Sequence, residues 1–405
     1  MAAVLACISL LIWTVLLFFR GGFWKVRLPA TDLSLPVGET WPAVVAVVPA
    51  RNEADVIGLA VRSLLSQRYA GAFSVIVVDD HSDDGTAAVA HAAAAALGGD
   101  APARLRVVHA RDLPAGWSGK VWAQAEGIAA QSTWLPDAEW IWLTDADITH
   151  PADGLGALLA RALRERLDMA SLMVRLRCTS PAERLLIPAF VFFFAKLYPF
   201  RWVADRRQRT AGAAGGCILL RRAALERIGG LAAIKGALID DCSLAAEIKK
   251  RGAEGNAGGG SIRLDLADDA WSIRPYDGWP DIWRMIARTA YTQLHYSPWL
   301  LLGACAGMVL TYLVPPVLTI AGLVAGAWWT LPALAAWGML MFSYGPMLRY
   351  YRQPAWQAVL LPAVAAFYLA ATIDSGRRHW LGRGGEWKGR AQANNVNHSA
   401  KADEK

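Results

Sequence analysis

Three close pairs of carboxylates stand out by type and spacing: Asp79 with Asp80, Asp145 with Asp147, and Asp240 with Asp241. Acids held this near one another resist ionising unless a cation answers them. In Leu143-Thr144-Asp145-Ala146-Asp147 the two acids offer hard oxygen ligands, the kind that hold Mg2+ or Mn2+ together with a diphosphate. In Val77-Val78-Asp79-Asp80-His81-Ser82-Asp83-Asp84-Gly85-Thr86 the first pair closes an apolar run. There it can accept from a ribose hydroxyl or a base N–H, while Asp83, Asp84 or Thr86 would serve equally as helix caps. Asp241, in Ile239-Asp240-Asp241-Cys242-Ser243-Leu244, has two readings. It is either an acid favoured by a helix N-terminus or a general base whose pKa is raised by Asp240. A cation stands ready in Gly116-Trp117-Ser118-Gly119-Lys120, where glycines let a phosphate approach the backbone and Lys120 meets its charge. The spacing is not that of a Walker A loop.

These residues need elements to position them. Val44–Val48, Ser74–Val78, Leu105–His109 and Trp140–Thr144 read as short buried strands. Asp55–Ser66, Thr86–Leu97 and Val121–Ala130 read as helices between them. The alternation implies βαβ units and a mostly parallel sheet, which binds ligands at the carboxyl ends of its strands. Pro49-Ala50-Arg51-Asn52-Glu53 ends the first strand and opens a helix with free N–H groups, a segment that capping alone would also explain.

Composition sets the surroundings. The 405 residues are 55% hydrophobic and 19% charged, too apolar for a disordered chain and more apolar than an ordinary soluble domain. The excess lies at the two ends. Ala2 to Phe19 carries no charge over 18 residues and is followed by Arg20, Lys25 and Arg27. That is an anchor long enough to span a bilayer, with the chain from residue 20 on the cytoplasmic side by the positive-inside rule. Trp299–Trp329, broken by Pro315-Pro316, then Leu331–Leu348 and Ala355–Ile373 form a second apolar zone of two or three membrane segments. The expected organisation is an anchor over 1–19, a cytoplasmic domain over 20–298, membrane segments over 299–373 and a basic polar tail over 374–405. Five scattered cysteines form no disulfide framework or zinc pattern, and the +7 net charge gathers beside apolar runs, which favours a membrane surface over nucleic acid. A transporter would carry charges inside its spans, and these carry none.

The five motifs, in this order, resemble the type A, nucleotide-sugar-dependent glycosyltransferases of family two. More narrowly the chain is similar to the membrane-bound hopene-associated (hopanoid biosynthesis-associated) enzymes. It is also similar to ceramide glucosyltransferases in its anchor, its Gly-Trp-x-Gly-Lys loop and its C-terminal spans. The narrower likeness rests on Leu113–Lys120, Ile239–Leu244 and Arg288-Thr289-Ala290-Tyr291-Thr292-Gln293-Leu294. The resemblance implies a mostly parallel sheet flanked by helices, of the α/β class. It implies that Pro49, Ala50, Arg51, Glu53 and Asp80 hold the nucleoside, that Lys120 and Asp145 meet the nucleotide sugar, and that Asp145 and Asp147 bind a divalent metal, Mg2+ or Mn2+. Asp241 matches the second acid of the family's usual Glu-Asp pair, the catalytic base, with Asp240 in the place of the Glu. The Gln-x-x-Arg-Trp motif of processive members is absent, so transfer of a single sugar is expected, with Arg288 answering the leaving diphosphate.

The expected activity is therefore inverting transfer of one sugar from a nucleotide-diphosphate donor to a membrane lipid, a hopanoid by the narrower likeness, at a bacterial cytoplasmic membrane. A polyprenyl phosphate or glycerolipid acceptor is the alternative, as is a non-catalytic nucleotide- or lipid-binding membrane protein. Leu185 to Phe200, with Phe190, Phe192, Phe193 and Phe194, reads either as an interfacial helix or as a core helix. Gly212 to Gly230 resembles the family's segment before the acceptor helix, and Ala257–Gly260 reads as a loop.

Overall fold

A computed structural model describes residues 1–255, 260–382, 386–387 and 390–391. Most of the Ala257–Gly260 glycine run, and the tail beyond Ala391, lie outside the described residues. The chain divides into two compact units. One takes in Arg27–Leu176 and Trp202–Arg274, with the described residues of Glu386–Lys405. The other takes in Met1–Val26, Arg177–Arg201 and the described residues of Pro275–Gly385. This division departs from the sequence boundaries at 20 and 298, because two inner segments group with the apolar helices.

The first unit is built on a sheet of eight strands. These are β1 (Val44–Ala50), β2 (Phe73–Asp79), β3 (Leu105–His109), β4 (Trp140–Thr144), β5 (Ile148–Thr149), β6 (Met169–Arg175), β7 (Cys217–Arg221) and β8 (Ile262–Ser272). Their order is β3-β2-β1-β4-β7-β6-β8-β5. The half from β3 to β4 is parallel throughout, so Ala50, Asp79 and Thr144 end at one edge. β7 runs antiparallel to both its neighbours, β4 and β6. That reversal pairs Thr144 with Cys217 and so brings the start of β7 beside the end of β4.

Alternate residues along each strand face opposite sides. Val44, Ala46, Val48, Val75, Val77, Trp140 and Trp142 form one core with Ile57, Val61 and Leu64 of the helix Ala54–Leu65, Ala90, Ala93 and Ala94 of Thr86–Leu97 and Leu155, Leu158 and Leu159 of Gly154–Arg164. The helix Gly119–Trp134 packs elsewhere, over Val47 and Val78. It approaches so closely at Gly127 that a Cβ there would lie 2.5 Å from Val47 Cγ1 and 2.8 Å from Val78 Cγ2. Glycine is needed here for room, not for backbone freedom.

The second unit is helical. Among the described residues four helices are long and apolar enough to cross a membrane: Ala2–Phe19, Pro298–Ala325, Thr330–Tyr350 and Ala355–Trp380. Pro315-Pro316 does not end the second of them. The helix passes through by a π-turn over Val309–Leu313 just before the prolines. Pro315 has no N–H to give the Thr311 carbonyl, and the Trp13 indole N–H donates to that carbonyl at 2.7 Å instead. Ser9 donates to the neighbouring Leu310 carbonyl at 2.8 Å.

The phenylalanine-rich segment is a core helix of this unit, Pro181–Leu197, with Leu186, Ile187, Val191 and Phe192 buried. Ser180 and Glu183 close a capping box at its start. The buried Glu183 carboxylate also accepts from the Thr179 and Tyr276 N–H groups, so its lone pairs are taken up by structure.

Candidate functional site

The site is assembled at the carboxyl edge of β1, β2 and β4. After β1 the chain turns through Asn52, in the left-handed region at φ 51°, and enters the helix Ala54–Leu65. After β2 it turns through His81 at φ 57°. The two turns are tied to each other. Asp84 accepts from the Ala54 N–H at 2.9 Å, Thr86 accepts from the Glu53 N–H at 2.9 Å, and the Asn52 side chain accepts from the Asp83 N–H at 3.1 Å. Asp84 thus caps the helix of the other motif, a role that its own spacing did not reveal.

Within this frame Arg51 donates to the Asp80 carbonyl and stands 3.8 Å from its carboxylate. The Asp80 side chain is fully buried and lies 3.4 Å from the His81 ring. Asp79 accepts from the Ser82 N–H at 3.1 Å. Pro49 and Ala50 are buried at the strand end and supply shape and backbone to this corner.

Asp145 and Asp147 follow β4. Lys120, near the start of the helix Gly119–Trp134, places Nζ 2.8 Å from Asp145 and 3.6 Å from Asp240. Burial opposes the charge on Lys120, but Asp145 and Asp240 outweigh it and hold the ammonium above the usual lysine range. Asp147 accepts from the Ser272 hydroxyl at 2.9 Å and from Arg274 at 3.2 Å, and Arg274 also grips Glu53. Burial and then the neighbouring Asp145 raise the Asp147 carboxyl. Arg274 thereby joins the β1 corner to the β4 corner. No motif signalled it. It follows the last strand at the end of Ser272-Ile273-Arg274, and only the pairing of the Ile273 N–H with the Asp147 carbonyl, at 2.9 Å, explains its position.

Asp240 and Asp241 open the helix Asp240–Gly255. Asp241 accepts from the Cys242 N–H at 2.7 Å and from the Gly215 N–H at 2.9 Å. Burial, then Asp240, push its carboxyl up to about 6, against the pull of Lys120 and the two amides. Gly215 is closely placed too, though less so than Gly127. A Cβ there would sit 3.0 Å from Lys120 Nζ and 3.5 Å from Asp241 Oδ2.

The structure therefore brings Lys120, Asp145, Asp240 and Asp241 into one cluster, and Glu53 and Asp147 into a second joined by Arg274. Arg288 belongs to the helical unit, on the helix Trp279–Gln293. Among the described residues no group of three or more His, Cys, Asp or Glu is arranged to hold a metal. The Asp145–Asp147 pair fits a divalent cation on other grounds. It offers two hard-oxygen groups, the ionisation of Asp147 is opposed by burial and by the neighbouring Asp145, and Lys120 and Arg274 supply the positive charge beside the pair.

Residues 42–255 match the family described as Glycosyltransferase like family 2. No curated protein matches the chain. Among solved structures, a mannosyltransferase from Pyrobaculum calidifontis, PcManGT, in complex with GDP-Man and Mn2+, shares the fold at a TM-score of 0.51 and 17% identity. The match covers 94% of this chain and 99% of that one. A glucosyl-3-phosphoglycerate synthase from Mycobacterium tuberculosis, in complex with Mn2+, UDP and glucosyl-3-phosphoglycerate, matches at 17% identity and a TM-score of 0.41, over 67% of this chain and 86% of that one.

Proposed function

From the premise that the chain belongs to the Glycosyltransferase like family 2, and is a glycosyltransferase of the type A fold, we propose that it moves one sugar from a nucleotide-diphosphate donor to a membrane lipid. The observation that carries this reading is the Lys120 ammonium, which joins Asp145 of the strand-tip pair to Asp240 of the second acid pair. That is the span a donor's diphosphate and the attacking hydroxyl have to bridge.

Each residue has a part in the proposed reaction. Arg51, Glu53 and Asp80, set by the turn at Pro49-Ala50, receive the nucleoside. Lys120 moves from Asp145 to the diphosphate, where its charge stabilises the leaving group. Asp145 and Asp147 hold Mg2+ or Mn2+, which when bound neutralises diphosphate charge. Asp241 takes the proton of the acceptor hydroxyl. Its raised pKa suits it to that role, and the Gly215 and Cys242 amides fix the direction from which it accepts. Attack opposite the leaving group inverts the anomeric centre.

The four apolar helices on the same chain support a lipid acceptor at a membrane, and Arg20, Lys25 and Arg27 after the first of them favour the cytoplasmic side for the sheet unit. A hopanoid is the first acceptor to try, on the resemblance set out above. The test is to incubate membranes containing the protein with labelled nucleotide sugars and to analyse the extracted lipids by mass spectrometry. A labelled hopanoid supports the full reading. A labelled polyprenyl phosphate or glycerolipid replaces the acceptor. Label in soluble products alone overturns the lipid assignment.

A further inference from the structure

Both acids of the strand-tip pair are held by cations of the chain itself. Lys120 Nζ lies 2.8 Å from Asp145, and Arg274 Nε lies 3.2 Å from Asp147. Each cation also reaches an acid outside that pair. Lys120 stands 3.6 Å from Asp240, and Arg274 is paired with Glu53.

These pairs lie where they can be exchanged. The Asp145 and Arg274 side chains are 31% and 34% exposed, so each pair has one member open to solvent. The main chain is fixed beside both. Lys120 sits in the first turn of the helix Gly119–Trp134, and Arg274 follows Ile273, whose N–H donates to the Asp147 carbonyl. Exchange of partners therefore needs side-chain rotation and no movement of a loop or strand.

The balance of charge says what would drive the exchange. Glu53, Asp145, Asp147, Asp240 and Asp241 gather about Lys120 and Arg274, more acid than the two cations can answer. A diphosphate arriving by itself meets that surplus of acid. Asp145 and Asp147 cannot turn to a divalent ion by themselves without loosening Lys120 and Arg274, whose charges repel a further cation at this range. Both difficulties end together when phosphate oxygens take over Lys120 and Arg274 in charge-assisted hydrogen bonds.

We propose that Lys120 and Arg274 are exchangeable counter-ions that hold Asp145 and Asp147 until a nucleoside diphosphate draws them off, so that the chain takes up metal and nucleotide together and holds the metal weakly without the nucleotide. This rests on the reading of Asp145 and Asp147 as the metal pair. It gives Arg274 a part in donor binding, as a second cation on the diphosphate beside Lys120. The coupling is reciprocal, because each ligand removes what opposes the other.

The experiment uses the full chain in detergent micelles and follows free Mn2+ by electron paramagnetic resonance, first without nucleotide. Lys120→Met and Arg274→Gln should each bind Mn2+ about tenfold tighter than the wild type, one ion per chain. Adding Asp147→Ala to either variant should remove the gain. A merely structural role for these ion pairs predicts equal or weaker Mn2+ binding in the variants. Arg274→Gln keeps an amide N–H for Asp147 or Glu53, so its titration decides the matter even where Lys120→Met fails to fold. In a second arm UDP, GDP, CDP, ADP and dTDP are added in turn. The nucleotide that fits should tighten Mn2+ binding to the wild type beyond that of the protein-free Mn2+–nucleotide complex, and by a larger factor than in Arg274→Gln. Wild-type uptake of Mn2+ with nucleotide, but no gain without it in Arg274→Gln, overturns the exchange and leaves the metal pair standing. No uptake of Mn2+ by the wild type with any nucleotide overturns the metal pair, and the exchange with it.

Discussion

Asp241→Asn is the most direct test of the proposed reaction, because the structure sets both its cost and its effect. The carboxylate accepts from two amides, Gly215 N–H at 2.9 Å and Cys242 N–H at 2.7 Å. An asparagine has one acceptor oxygen, so one buried N–H loses its partner, at about 1–3 kcal/mol of stability. The fold survives such a loss. Removing a general base slows the chemical step by about 10²–10⁴, or roughly 3–5 kcal/mol of barrier. The two effects separate in a single-turnover assay at saturating donor, with donor affinity and thermal unfolding measured alongside. Transfer should fall by that factor while donor affinity changes by less than about twofold.

The pH profile carries a second, independent reading. The base works ionised, and its pKa is raised to about 6, so transfer should rise with pH through 6. Between pH 7 and pH 5 the ionised fraction falls from about nine-tenths to about one-tenth. Asp240→Asn removes a raising cause and frees Lys120 toward Asp241, so the midpoint should move to lower pH. Equal loss of donor binding and transfer in Asp241→Asn, or an unmoved midpoint in Asp240→Asn, would refute the base assignment.

Four further substitutions probe other parts of the structure. Lys120→Met strands Asp145 and Asp240 and should cost about 3–5 kcal/mol in thermal unfolding together with most donor affinity; a wild-type melting curve sinks the bridging role. Asp147→Ala should weaken metal-dependent nucleotide binding, and an unchanged titration counts against the metal role. Gly127→Ala forces the helix Gly119–Trp134 off Val47 and Val78 and should cost about 1–3 kcal/mol, read as a lowered Tm. Trp13→Phe leaves the Thr311 carbonyl without its donor and should cost about 1–3 kcal/mol, read from denaturation in micelles; no change would mean that the proline-freed carbonyl finds another partner.

Much of the architecture was legible in the chain. Thr86–Leu97, Leu105–His109 and Trp140–Thr144 form at the bounds their apolar runs and punctuation imply, and Ala2–Phe19 forms the apolar helix its 18 uncharged residues require. Buried parallel strands are continuous apolar runs, so their ends, and the acids on those ends, can be read directly. The α-helix is interrupted just before Pro315-Pro316, as the prolines imply, but the chain does not show the distant donor, Trp13, that makes up for the missing N–H. The phenylalanine-rich segment had two readings because an all-round apolar helix does not announce which surface covers it.

The sequence by itself determined the strand-tip acids, the lysine beside its glycines and the apolar helices, since each is a local pattern of residue type and spacing. Only the tertiary structure decided which charges meet. β7 runs against its neighbours, and this sets Gly215 and Asp241 beside Lys120 and the end of β4. Arg274, 221 residues from Glu53, closes the other half of the site. Strand direction and long-range ion pairs are fixed by packing and hydrogen-bond register, and a local pattern in the chain does not carry them.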